Sequence, residues 1–177
     1  MLNINGSNDP NYRYKMEEVV IKNCGSGNGQ FTIITNINKI EKSINTPAEI
    51  IFKYLASVLG SSYNNKKESL TGIHSQENIQ TKIYDYINNF VICTYCGIPE
   101  LTYKLINKKI ECKCSACGKI KISNLKNKIN IKVEDIILKY LQSNKEWTEI
   151  KGNMVIQNKI EDTNKIEDTD SNDFNPF

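Results

Sequence analysis

Two cysteine pairs, Cys93-Thr94-Tyr95-Cys96 and Cys114-Ser115-Ala116-Cys117, have the spacing of metal-binding knuckles and lie 17 residues apart. Each C-x2-C turn puts two sulfurs on one side of a tight loop, and two such loops complete a tetrahedron about 2.3 Å from a zinc ion. Gly97 and Gly118 follow the pairs, as knuckle turns favour. A closed four-sulfur shell leaves no position for a reactive water, so Cys93, Cys96, Cys114 and Cys117 are expected to hold a structural Zn2+. The same spacing argues against a redox use of the pairs. Cys112 offers the second knuckle another sulfur, but Cys114 and Cys117 are preferred because they repeat the spacing of the first pair. Cys24, far away in a strand-like run, reads as a small buried residue.

The other chemistry is cationic. Of 23 basic residues only Arg13 is arginine, in a chain whose Lys, Ile and Asn richness is most simply a codon bias. Taken alone, an arginine between Tyr12 and Tyr14 is a surface residue. Lys104, Lys108, Lys109, Lys113, Lys119, Lys121, Lys126 and Lys128 crowd the cysteine-rich region against only Glu100 and Glu111. That excess suits RNA phosphates, although a lysine-biased composition places lysine everywhere. His74, the only histidine, stands beside a helix cap and is expected to pack or cap, not to ligate or catalyse.

The elements that must position these residues follow from patterning. Residues 1–16 are polar and turn-rich and predict a flexible arm. Residues 17–23 and 30–37 predict strands joined by the turn Gly25-Ser26-Gly27-Asn28-Gly29, which lacks the Gly-Lys-Ser/Thr of a phosphate loop. Thr46-Pro47-Ala48-Glu49 is a capping box opening a helix that Gly60 stops. Residues 61–73 predict two short strands, and Ser75 caps a helix with the apolar face Ile79, Ile83, Tyr86, Ile87 and Phe90. Between the knuckles, Leu101 to Ile106 and Lys109 to Glu111 form a hairpin turning at Asn107-Lys108, hence a zinc ribbon. Val133, Ile136, Ile137, Tyr140 and Leu141 mark a last helix, and 147–156 an edge strand. The expected fold is α+β: arm 1–16, small mixed α/β subdomain 17–90, four-cysteine ribbon 91–128, C-terminal helix and extension 129–157, and acidic disordered tail 158–177.

Composition bounds the rest. With 39% hydrophobic and 24% charged residues in 177, a packed core is possible and wholesale disorder is excluded. No apolar run approaches the ~20 residues of a membrane-spanning helix. The opening residues lack a secretory signal's basic and apolar regions, so a cytoplasmic protein with reduced cysteines is expected. Residues 158–177 carry a net −4 and repeat NKIEDT, leaving +7 on residues 1–157. A basic body of this kind favours contact with an acidic partner such as nucleic acid.

In order along the chain stand Tyr12-Arg13-Tyr14-Lys15-Met16, Gly27-Asn28-Gly29, Thr46-Pro47, Gly72-Ile73-His74-Ser75, Phe90-Val91-Ile92-Cys93 and Cys114-Ser115-Ala116-Cys117-Gly118. Over roughly residues 1–145 this set resembles the N-terminal domain of eukaryotic translation initiation factor five, which is shared with the beta subunit of initiation factor two. The resemblance implies a GTPase-activating protein, with no active site of its own, that acts on GTP held by the gamma subunit of factor two. It places Arg13 on the family's arginine finger and Cys93, Cys96, Cys114 and Cys117 on its zinc ligands. It also implies a subdomain similar to initiation factor one, near the initiator tRNA on the small ribosomal subunit. Gly27, Asn28, Gly29, Lys104, Lys108 and Lys109 would then face tRNA or mRNA.

Two departures qualify it. Ser26 stands where members carry a basic residue in the glycine turn, implying weaker contacts there. Members continue into a helical-repeat domain that binds factor three and the beta subunit, whereas this sequence stops at Phe177, implying inefficient activation or a domain supplied elsewhere. The rival readings are a beta subunit of factor two, whose members carry lysine blocks, and a generic zinc-ribbon RNA-binding module.

Overall fold

The computed structural model describes residues 1–121, 127–143 and 149–150. The chain opens with β1 (Leu2–Asn3) and β2 (Lys15–Met16), paired antiparallel with Leu2 opposite Met16. Ile4 and Met16 are fully buried, so residues 1–16 are folded onto the core and do not stand off as a free arm. The polar composition of the segment hides these two apolar anchors. The loop between them also satisfies its own backbone: Asn3 Nδ2 donates to Ser7 Oγ at 3.0 Å and to the Asp9 carbonyl at 2.8 Å. The Lys15 ammonium donates to Asn3 Oδ1 and reaches the carbonyls of Asp9 and Pro10, each at 3.4 Å. A loop stapled in this way is compact although it is polar.

β3 (Ile21–Cys24), which begins at Ile21 and not at residue 17 as expected, and β4 (Phe31–Ile34) form the expected hairpin across a 3₁₀ turn at Gly27–Gly29. Gly25 has φ +85°, and a Cβ there would lie 2.3 Å from the Gly29 carbonyl oxygen, so this turn admits only glycine. The second strand ends sooner than the sequence predicts, because α1 (Ile37–Ile44) begins at once. Its residues Ile37, Ile40 and Ile44 recur at helical spacing and are all buried. Left-handed Asn45 closes the helix, its N–H donating to the Glu41 carbonyl.

α2 (Ala48–Leu59) starts where expected but not by the expected device. Thr46 Oγ1 donates back to the Ile44 carbonyl at 3.3 Å and caps nothing. The Pro47 carbonyl accepts from Ile50 and Ile51 at 2.9 and 3.2 Å, and Glu49 pairs with Lys53 at 2.6 Å. Gly60 ends the helix with φ +66°. β5 (Tyr63–Asn64) and β6 (Ser69–Thr71) complete an antiparallel sheet of order β3-β4-β6-β5. Ser75 Oγ accepts from the Asn78 N–H at 3.2 Å and caps α3 (Gln76–Tyr86), which continues through a π turn at Ile87–Val91. His74 Nε2 lies 3.1 Å from both Ser61 Oγ and the Thr71 carbonyl, a packing role as expected.

β7 (Leu101–Ile106) and β8 (Lys109–Cys114) pair in register from Leu101 opposite Cys114 to Ile106 opposite Lys109. Asn107 and Lys108 turn between them with φ of 49° and 62°, the left-handed pair of a tight hairpin. β9 (Glu149–Ile150) lies along the other edge of β7, within the predicted edge strand. α4 (Lys128–Ser143) packs on α2 and β7 through Val133, Ile137, Tyr140 and Leu141. One continuous core runs from Ile4 through Phe52, Tyr86 and Phe90 to Cys93, Tyr103 and Ile137. The divide expected at residue 90 is therefore not a break in packing. The acidic tail 158–177 and the rest of the 147–156 segment lie outside the described residues. Among the described residues no helix is long and apolar enough to cross a membrane.

Candidate metal centre and arginine loop

The two knuckles are copies of one hydrogen-bond pattern. The Gly97 N–H donates to the Cys93 carbonyl and the Gly118 N–H to the Cys114 carbonyl, both at 2.9 Å. The Cys93 N–H donates to the Ile98 carbonyl at 2.9 Å and the Cys114 N–H to that of Lys119 at 3.0 Å, closing each loop a second time. Gly97 and Gly118 take φ of 70° and 72°, the left-handed region that lets the chain turn so tightly after each pair.

All four sulfurs converge. The Sγ atoms of Cys93, Cys96, Cys114 and Cys117 lie within 4.8 Å of one another, with Cys93 to Cys117 at 3.8 Å and Cys96 to Cys114 at 3.7 Å. Sulfurs placed tetrahedrally about 2.3 Å from one ion are about 3.8 Å apart, so the shell fits such an ion. Burial alone would raise the Cys93 thiol, but the amides of Tyr95 and Cys96, with the sulfurs of Cys96 and Cys114, overcome it and hold the thiol at about 7. Burial pushes Cys114 up to about 12. A cation among the sulfurs is what would let all four ionise together. Cys112 lies outside this cluster: it is buried on β8 opposite Tyr103, and burial pushes its thiol up to about 11. Cys24 is only half-buried, at the end of β3.

Arg13 sits on the stapled loop between β1 and β2. Its neighbours Tyr12 and Tyr14 are partly buried while Arg13 is exposed, and Arg13 forms no ion pair among the described residues. The two rings lie 5.9 Å apart and tilted by 58°. The Ile4 N–H donates to the Tyr14 carbonyl at 3.2 Å, and the Tyr14 hydroxyl donates to Glu100 Oε1 at 2.9 Å. The loop is thus tied to the core on one side and to the ribbon on the other. Sequence reasoning missed this joint, since nothing local links residues 86 positions apart.

Gly27, Asn28 and Gly29 are exposed at the tip of the β3–β4 hairpin. Lys104 is exposed on β7, Lys108 is at the ribbon's hairpin tip and Lys109 opens β8, so these lysines belong to a different sheet from the glycine turn. The surrounding lysines are not uniformly free. Lys119 Nζ sits 4.7 Å from the centre of the Tyr95 ring and Lys121 Nζ 5.1 Å from that of Phe90. Lys121 also donates to the Asn89 carbonyl, and burial lowers its pKa, so it fastens the ribbon to the π turn. Lys126 lies outside the described residues.

Fold and site together define an α+β domain whose core extends into a four-cysteine ribbon and which presents one arginine from an ordered loop. A family model described as a domain found in initiation factors 2B and 5 matches residues 5–120. The chain is 33% identical over 123 residues to eukaryotic translation initiation factor 5 of Dictyostelium discoideum, covering 68% of this chain and 31% of that protein. It is 34% identical over 134 residues to the factor of the same name from Caenorhabditis elegans, covering 73% and 31%. Against that of Saccharomyces cerevisiae it is 35% identical over 130 residues, covering 70% and 32%. The chain belongs to this family and carries the N-terminal domain of initiation factor 5. The match spans about a third of the length of these curated relatives.

Proposed function

We propose that the chain is a cytoplasmic translation initiation factor that activates hydrolysis of GTP held by the gamma subunit of initiation factor two, inserting Arg13 beside the nucleotide and so promoting start-codon commitment. The observation that carries this is Arg13 itself: the lone arginine of the chain, turned outward from a loop whose neighbours are turned inward and anchored. Phosphoryl transfer builds negative charge on the γ-phosphoryl oxygens, and an arginine supplied by another protein accelerates it by roughly 10³–10⁵. The planar guanidinium meets two oxygens at once, which an ammonium does not. The role is expected of a mobile arm that extends into its partner; the loop is instead anchored, so the role rests on Arg13 being exposed at its surface.

In this reading Cys93, Cys96, Cys114 and Cys117 hold a zinc ion. When bound, it supplies structural cross-linking of the two knuckles and no chemistry on the nucleotide. Lys104, Lys108 and Lys109, with the turn Gly27-Asn28-Gly29, face initiator tRNA or mRNA on the small ribosomal subunit. The test is GTP hydrolysis by a reconstituted initiation complex with and without this chain. A rate raised at least about a hundredfold supports the proposal, and an unchanged rate rejects it. Stable stoichiometric co-purification with the gamma subunit would favour the beta-subunit reading instead.

A further inference from the structure

The hydrogen bond from Tyr14 to Glu100 connects the arginine loop to the part of the molecule that the four cysteines organise. Glu100 is held by both knuckles. Its N–H donates to the Ile98 carbonyl at 2.9 Å, the same carbonyl that accepts from Cys93. Its own carbonyl accepts from Ser115, the residue after Cys114, at 2.9 Å. Ser115 Oγ is in turn 2.9 Å from Thr102 Oγ1 on β7. The backbone of Glu100 is therefore hydrogen-bonded to both cysteine loops, and its carboxylate hands that constraint to Tyr14, the immediate neighbour of Arg13.

The loop is also fixed without reference to the ribbon. Ile4 and Met16 are fully buried, the Ile4 N–H donates to the Tyr14 carbonyl, and Asn3 and Lys15 staple residues 7–10. Opening the cysteine loops should therefore leave the base of the hairpin, the Ile4–Tyr14 bond included, in place and release the Tyr14 ring and the Arg13 beside it. Burial, and then the bond to Glu100, raise the Tyr14 hydroxyl above its usual value, so it stays protonated as a donor through neutral pH.

Resting on the reading of Arg13 given above, we propose that Tyr14 and Glu100 are positioning residues that make the placement of the arginine depend on the metal-bound ribbon. The metal is then a condition for presenting the guanidinium as well as a staple for the fold.

The experiment uses the full metal-loaded chain and follows amide hydrogen exchange over residues 2–16, with amides of α3 as the control for global unfolding. Tyr14→Phe and Glu100→Ala should speed exchange around residues 12–15 about tenfold while α3 is unchanged, and Glu100→Gln, which keeps an acceptor oxygen, should restore most of the protection. Chelation of the metal should speed exchange there in the wild type and add little in Tyr14→Phe. In the GTP hydrolysis assay Tyr14→Phe should lower the maximal stimulated rate about tenfold at an unchanged half-saturating concentration. Equal loop exchange in wild type and Tyr14→Phe, or an equal response of both to chelation, overturns the coupling. Coupled exchange together with full activation by Arg13→Lys rejects the arginine assignment and so the positioning role, leaving only a structural joint.

Discussion

Between Tyr12 and Tyr14 the backbone turns two rings inward and one guanidinium outward, so the exposure of Arg13 is set by its neighbours. The Tyr-Arg-Tyr string is legible in the sequence, but the partner that fixes it, Glu100, is not, because only the fold brings the two together. The cysteine cluster is the opposite case. Spacing favours four sulfurs but leaves Cys112 as an alternative for the second knuckle, and the structure brings Cys93, Cys96, Cys114 and Cys117 together with Cys112 outside the group. Cys112→Ser should accordingly keep the full metal content while costing about 1–3 kcal/mol for burying a hydroxyl in an apolar site; metal analysis and urea denaturation check the two halves. Gly25→Ala meets a backbone oxygen at 2.3 Å in a left-handed conformation. It should cost at least about 1–3 kcal/mol, read as a lowered urea midpoint.

Among the elements, long amphipathic helices are legible because their period is repeated several times, as in α2, α3 and α4. α1 is not, because three β-branched isoleucines in an eight-residue helix resemble the tail of the preceding strand. Those isoleucines are core residues, so Ile40→Ala should destabilise by about 2–5 kcal/mol, measurable by the same denaturation. The N-terminal hairpin escapes the sequence for a related reason: two buried apolar residues among many polar ones carry little pattern, although they decide where the segment lies. The ribbon makes its own prediction. Cys93→Ser or Cys114→Ser should lose the metal and destabilise the ribbon strands together with the core they share, because binding free energy there is folding free energy. Bound thiolates carry fewer protons than free thiols, so acidification should release the metal in the same way, with affinity falling as pH falls.

For the molecule as a whole, the expected α+β order and ribbon hold, and one buried core extends across residue 90, from Ile4 to Ile137. Composition changes sharply at the cysteines, and packing does not. Metal removal should therefore lower the melting temperature of the domain in a transition that a probe in α3 and a probe in the ribbon both report; two separated transitions would show the parts to be independent. In this account the basic body meets nucleic acid, and the outward arginine brings a cation to a nucleotide on another protein. Single-turnover GTP hydrolysis in a reconstituted initiation complex, titrated with wild-type chain and with Arg13→Lys, tests that claim most directly. The account predicts that Arg13→Lys binds with an unchanged half-saturating concentration and loses nearly all of the rate stimulation. A stimulated rate equal to that of the wild type would contradict it.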